Sequence, residues 1–106
     1  MNIEELIVER SKKCELFSNP LRSFIAVFVA AKGEVTWSEL KKTLEKWVGP
    51  VNPNTLSFHI GELIDTGFVE KVNIEGQPMY RIIESKSPEI QRLVGKDLIE
   101  KMREEL

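Results

Sequence analysis

Asn52-Pro53 opens a helical stretch that Gly67 closes, and two β-rich runs follow at once, Phe68 to Ile74 and Met79 to Ile83. This junction constrains the chain more than any other feature. Proline at a first helical position sacrifices no hydrogen bond, because its missing N–H would be unpaired there, and the asparagine before it can cap the helix. Leu56, Ile60, Leu63 and Ile64 recur at helical spacing and predict an inward stripe. Glu75-Gly76-Gln77-Pro78 reads as the hairpin loop, with Gly76 able to take a positive φ.

The preceding segments supply what this helix and hairpin must pack against. Residues 2–17 read as a first helix with the stripe Ile3, Leu6, Ile7, Cys14 and Phe17, interrupted by Arg10. Asn19-Pro20 repeats the Asn-Pro start, and the helix to about Ala31 is apolar nearly all round: Leu21, Phe24, Ile25, Val27, Phe28 and Val29. A helix of that kind belongs at the centre of a core or between subunits. Glu34-Val35-Thr36 is a short extended segment. Thr36-Trp37-Ser38-Glu39 matches a capping box for a helix to about Trp47, and Val48-Gly49-Pro50-Val51 is a turn. Ser87-Pro88 starts a last helix to about Glu105, striped by Ile90, Leu93, Val94, Leu98, Met102 and Leu106.

The expected fold is mainly α with a small β-hairpin, an α+β chain in winged helix-turn-helix order with N- and C-terminal helical arms. At 106 residues it is one domain: an arm over 1–17, a core over 18–84 and a C-terminal helix over 87–106. Two amphipathic arms exceed what a small core can cover, so the expectation is a homodimer joined through the terminal helices.

Composition narrows the class. Apolar (42%) and charged (30%) fractions are ordinary for a globular chain. One cysteine, Cys14, permits neither an intrachain disulfide nor a thiolate metal cluster. No secretory signal core opens the chain, and no apolar run approaches the roughly 20 residues that cross a bilayer. The expectation is a cytoplasmic protein without membrane, metal or cofactor. Net charge is −2, and residues 52–84 hold five acidic side chains against Lys71 and Arg81.

Four strings carry a family resemblance. They are Asn19-Pro20-Leu21-Arg22, Gly33 through Leu40, Asn54 through Leu63 (NTLSFHIGEL) and Thr66-Gly67-Phe68-Val69. Together they resemble winged-helix transcription regulators of the ArsR and MarR type, in an archaeal-looking version, over about residues 17–84. The resemblance implies a sequence-specific double-stranded DNA-binding regulator, a repressor, with helix 53–65 in the major groove. An effector is not specified.

The DNA-facing candidates are Asn52, Asn54, Thr55, Ser57, Phe58 and His59 on the second helix of the motif, with Arg22, Lys41, Lys42, Lys71, Gln77 and Arg81 around it. Small polar side chains suit base edges, and the open N–H groups at Asn52-Pro53 suit a phosphate. Each has an alternative. Asn52 caps or contacts. Asn54 contacts a base or phosphate or only shapes the turn. Thr55 and Ser57 read DNA or face solvent. His59 meets a phosphate or packs beneath the helix. Lys41, Lys42 and Lys46 anchor phosphates or line a solvated face. Arg22 contacts a phosphate or makes a structural ion pair. Glu75 at the hairpin tip opposes phosphate contact, a departure from the basic wings of the family.

Two other readings compete. The acidic 52–84 segment suits a winged helix that binds protein in a transcription or replication assembly. An enzyme needs converging catalytic side chains, and one histidine, one cysteine and scattered carboxylates do not supply them, so the chain is expected not to be an enzyme.

Overall fold

The computed structural model describes residues 2–11 and 19–106. Its elements are α1 (Ile3–Ser11), α2 (Pro20–Lys32), β1 (Glu34–Val35), α3 (Trp37–Val48), α4 (Pro53–Asp65), β2 (Val69–Ile74), β3 (Gln77–Ile82), a 3-10 turn (Glu84–Lys86), α5 (Ser87–Val94) and α6 (Lys96–Glu104). The chain is mainly helical, with one three-stranded antiparallel sheet in the order β1-β3-β2. The extension of the first helix to residue 17, with Cys14 and Phe17, lies outside the described residues.

Local chemistry sets the helix limits. Asn19 Oδ1 accepts from the N–H groups of Leu21 and Arg22 at 2.9 and 3.3 Å, and Pro20 follows as first residue of α2. Thr36 Oγ1 accepts from the Glu39 N–H at 3.0 Å, while its hydroxyl donates to Glu39 Oε1 at 3.3 Å. The Glu39 carboxylate is also held by Lys32. The Thr36 backbone N–H also acts on this carboxylate, as the second arm of a capping box does, beside the hydroxyl contact and the ion pair. Gly67 ends α4 with φ 82°: the N–H groups of Gly67 and Phe68 donate to the carbonyls of Ile64 and Leu63, each at 3.0 Å. They share these end carbonyls with Thr66, whose hydroxyl also reaches the Leu63 carbonyl at 3.3 Å.

The core centres on α2, whose residues 23–29 are all buried. Around it pack α1, α3, α4, α5, α6 and the sheet. Phe24 meets Trp47 edge-on with ring centroids 5.6 Å apart. Arg103 on α6 donates its Nε–H to the Ala31 carbonyl at 3.0 Å, fixing the end of α6 to the end of α2.

Three expectations change here. Among the described residues most of the terminal stripes are covered: Ile3, Ile7, Ile90, Leu98, Ile99 and Met102 are each at most 4% exposed inside a single chain. These side chains need no partner copy to cover them. The core is large enough because α2 is apolar on every side and accepts helices all around its circumference. Leu106 alone of the C-terminal stripe stays largely exposed, at 52%. The last helix is also two, since Gly95 at φ 92° and ψ 127° breaks it into α5 and α6.

The third change concerns the hairpin. Its turn is two residues, Glu75-Gly76, with φ of 52° and 83°, and β3 already begins at Gln77. Ile74 pairs with Gln77, Asn73 with Pro78 and Glu70 with Arg81. Two consecutive positive φ values match the right-handed strand twist. Pro78 is tolerated because its pairing partner Asn73 occupies a non-hydrogen-bonded register position, so the absent N–H is directed away from β2. β1 pairs only with Tyr80 and Arg81, leaving that edge open at Pro78.

Candidate nucleic-acid interface

The α3–α4 corner presents the start of α4 to solvent. Gly49 takes φ 90°, and Val51 is buried at 9% exposure, which pins the connection to the core. Asn52 Oδ1 then accepts from the Asn54 N–H at 2.8 Å. Its side chain is committed to capping, which decides between the two roles open to it in the sequence.

Helical periodicity sorts the next residues. Leu56, His59, Ile60 and Leu63 are buried, whereas Asn54, Thr55, Ser57 and Phe58 are exposed. Those four exposed side chains form one continuous outer surface over the first turns of α4. Phe58 is 58% exposed, an unusual setting for so large an apolar ring. No acidic side chain lies between residues 49 and 61. Glu4 of α1 nonetheless lines the same groove as Asn52 and Thr55, and the carboxylates of the 52–84 segment sit at Glu62, Asp65, Glu70, Glu75 and Glu84.

His59 lies under this surface rather than on it. It is 6% exposed, and its Nδ1 accepts from the Arg22 Nε–H at 3.3 Å. Accepting at Nδ1 assigns the imidazole proton to Nε2. Burial lowers the His59 pKa, the Arg22 charge lowers it further, and Glu62 opposes both. The His59 ring packs beneath the helix, one of the two roles the sequence leaves open to it. The Phe58 ring stands edge-on to it, with centroids 5.4 Å apart, and the Arg22 guanidinium lies 6.0 Å from the Phe58 ring centre. Arg22, His59 and Phe58 thus form a stack from α2 to the outer face of α4, with Arg22 beside that face.

The surrounding cations divide. Lys41 Nζ is 3.1 Å from Glu45 on its own helix and is half-buried. Lys42 and Lys46 are exposed, without an ion-pair partner among the described residues. On the hairpin, Lys71 lies over the Tyr80 ring at 6.0 Å, and Gln77 is exposed beside the turn. Arg81 is held by Glu70 at 2.7 Å, with Glu34 at 3.9 Å, so two carboxylates face its one charge within the sheet. The structure brings Asn54, Thr55, Ser57, Phe58 and Arg22 together and turns Lys71, Gln77 and Arg81 to a separate sheet region.

Among the described residues, no three His, Cys, Asp or Glu side chains converge as metal ligands. No helix among them is long and apolar enough to cross a membrane. In comparisons with known proteins the chain matches no family model, no curated protein and no solved structure.

Proposed function

We propose that the chain is a winged helix-turn-helix protein that binds double-stranded DNA and regulates transcription, with α3 and α4 as the helix-turn-helix and β2–β3 as the wing. The observation that carries the reading is the outer face of α4: small polar side chains and one phenylalanine, exposed over the first turns of a capped helix. A helix enters the major groove by its N-terminal residues, and asparagine, threonine and serine offer donors and acceptors to base edges. Lys42 and Lys46 lie on the preceding helix, where backbone contacts are made in this motif. Arg22 acts from behind, positioning Phe58 and His59. Repression by promoter occupancy is the mode we assign, on the sequence resemblance alone.

Pairing of two copies through the terminal stripes is not part of this proposal, because those stripes are buried within one chain. The test is fluorescence anisotropy of the purified chain on duplexes selected from a random library, across a salt series. Affinity should fall on a log–log slope of roughly −0.9 per phosphate neutralised. Absence of any salt-dependent duplex binding overturns the reading. One observation favours a second reading, a winged helix that docks protein: Glu70 and Glu34 neutralise Arg81, leaving Lys71 the hairpin's one uncompensated cation.

A further inference from the structure

Gly61 has no role that its own fold supplies. It lies inside α4, in ordinary helical conformation, and a methyl group there would meet nothing within 4 Å outside the helix's own backbone. Glycine inside a helix destabilises it relative to alanine. The five other glycines each take a positive φ and serve a turn or a helix end. Gly61 alone is a glycine without an internal reason.

Its position supplies an external one. Gly61 stands three residues after Phe58 and seven after Asn54, so all three lie on one line down the middle of the outer face. Asn54 and Phe58 project from this line, and Gly61 interrupts it with a flat step beside the exposed ring. Asp65, one turn further on the same line, ends the strip with a negative charge. The reading surface is thereby confined to the first two turns, the part of a recognition helix that reaches base edges.

We infer that Asn54, Phe58 and Gly61 form a reading strip for thymine-containing steps, an inference that rests on the DNA-binding proposal above. The Phe58 ring covers the thymine 5-methyl group, the one apolar feature of the major groove. The Asn54 amide pairs with N6 and N7 of a neighbouring adenine, since its own side chain takes no part in capping. Gly61 lets the helix backbone approach the groove floor within the distance a side chain would hold open. Arg22 and His59 hold the ring outward from behind, at 6.0 and 5.4 Å. A protein partner would also accept an exposed phenylalanine. Small polar neighbours and the absence of carboxylates over residues 49–61 favour the nucleic acid.

The experiment uses the full chain and a short duplex recovered by selection, with each thymine replaced in turn by deoxyuridine, which removes only the methyl group. At one position wild-type affinity should fall about four-fold, the size of one lost buried methyl. Phe58→Ala should bind the parent duplex correspondingly less well and make no distinction between thymine and uracil there. Gly61→Ala should weaken binding about ten-fold or more by holding the helix off the groove, while raising the Tm by about 2–6 °C. Salt-dependent binding that ignores every thymine methyl, or that Gly61→Ala leaves intact, overturns the strip and spares the DNA-binding reading. Recovery of no duplex overturns both.

Discussion

Arg22 on α2 donates its Nε–H to Nδ1 of His59 on α4 across 3.3 Å, joining two helices 37 residues apart in sequence. The bond needs an unprotonated Nδ1. A protonated His59 would present an N–H to a guanidinium and place two cations side by side in a buried position. The folded state therefore prefers neutral histidine, with its pKa below the ordinary 6.5. Between that ordinary value and the lower folded one, the unfolded chain binds more protons, so stability rises with pH across the window. The stabilisation is complete above about pH 6.5, the ordinary histidine value. It declines as pH falls through the window, until the folded histidine itself protonates. Thermal melts by circular dichroism should show Tm falling from pH 7.5 to pH 5.5, on the order of a few degrees. His59→Gln, which keeps an acceptor for Arg22, should flatten that slope. Glu39 acts in a separate window: Lys32 chiefly holds its carboxyl below 4.5, so its stabilisation is lost only in stronger acid. An equal slope in wild type and His59→Gln would remove His59 as the cause.

Much of this architecture is legible in the residues. Asn19, Thr36 and Asn52 announce three helix starts, because a side-chain oxygen beside an open N–H is local chemistry that needs no tertiary context. The apolar girdle of α2 likewise announces a central helix. What was not legible depended on a count or on tertiary partners. A four-residue loop would place Glu70 opposite Ile83, whereas the two-residue turn places it opposite Arg81. Glu75 concealed the shorter turn, since a positive φ at glutamate, here 52°, runs against the usual Asn-Gly or Asp-Gly signal. Among the described residues the terminal stripes are apolar faces, as the sequence reads, but a stripe does not say which surface covers it. The buried His59 and exposed Phe58 are neighbours in sequence, and only the helix phase, set by Leu56, Ile60 and Leu63, decides which faces out. Gly61 carried a signal, a mid-helix glycine, that composition alone does not connect to a surface.

Asn52 and Asn54 separate folding from binding on adjacent turns. Asn52 holds the first open N–H of α4, so Asn52→Ala should cost about 1 kcal/mol of stability, read as a shift of the urea midpoint. Asn54→Ala should leave that midpoint within about 0.5 kcal/mol, because an exposed residue away from a cap contributes little. DNA affinity should respond in the opposite order, with Asn54→Ala losing about ten-fold or more on the selected duplex. Equal losses of affinity at matched folded fractions would count against Asn54 as a base reader.

Ile7 and Met102 test where the terminal helices are anchored. Both are at most 1% exposed within one chain. Truncation to alanine should destabilise each variant by about 2–5 kcal/mol. The loss should be the same at micromolar and at hundred-fold higher protein concentration, since both side chains are already buried within one chain. Pairing through the arms would instead make Tm climb with concentration. A concentration-dependent Tm in wild type, abolished by Ile7→Ala, would restore the intersubunit packing that burial removes.

Glu70 decides whether the hairpin can contribute to DNA binding. Its carboxylate takes the Arg81 Nε–H at 2.7 Å, and Glu34 stands 3.9 Å away on the neighbouring strand. Two acids against one guanidinium give this sheet region a net negative charge, so a phosphate approaching Arg81 meets repulsion before attraction. The Glu34→Gln/Glu70→Gln variant retains the size of both side chains and releases Arg81 from both ion pairs. All three side chains are solvent-accessible, so stability should change little. If the hairpin lies within reach of the backbone, the salt slope should steepen by about 0.9 as one more phosphate is neutralised, and affinity at low salt should rise. Arg81→Gln added to that variant should return the slope to its wild-type value. An unchanged slope in the double variant would place the hairpin away from the duplex and leave α4, with Lys42 and Lys46, to make the contact alone.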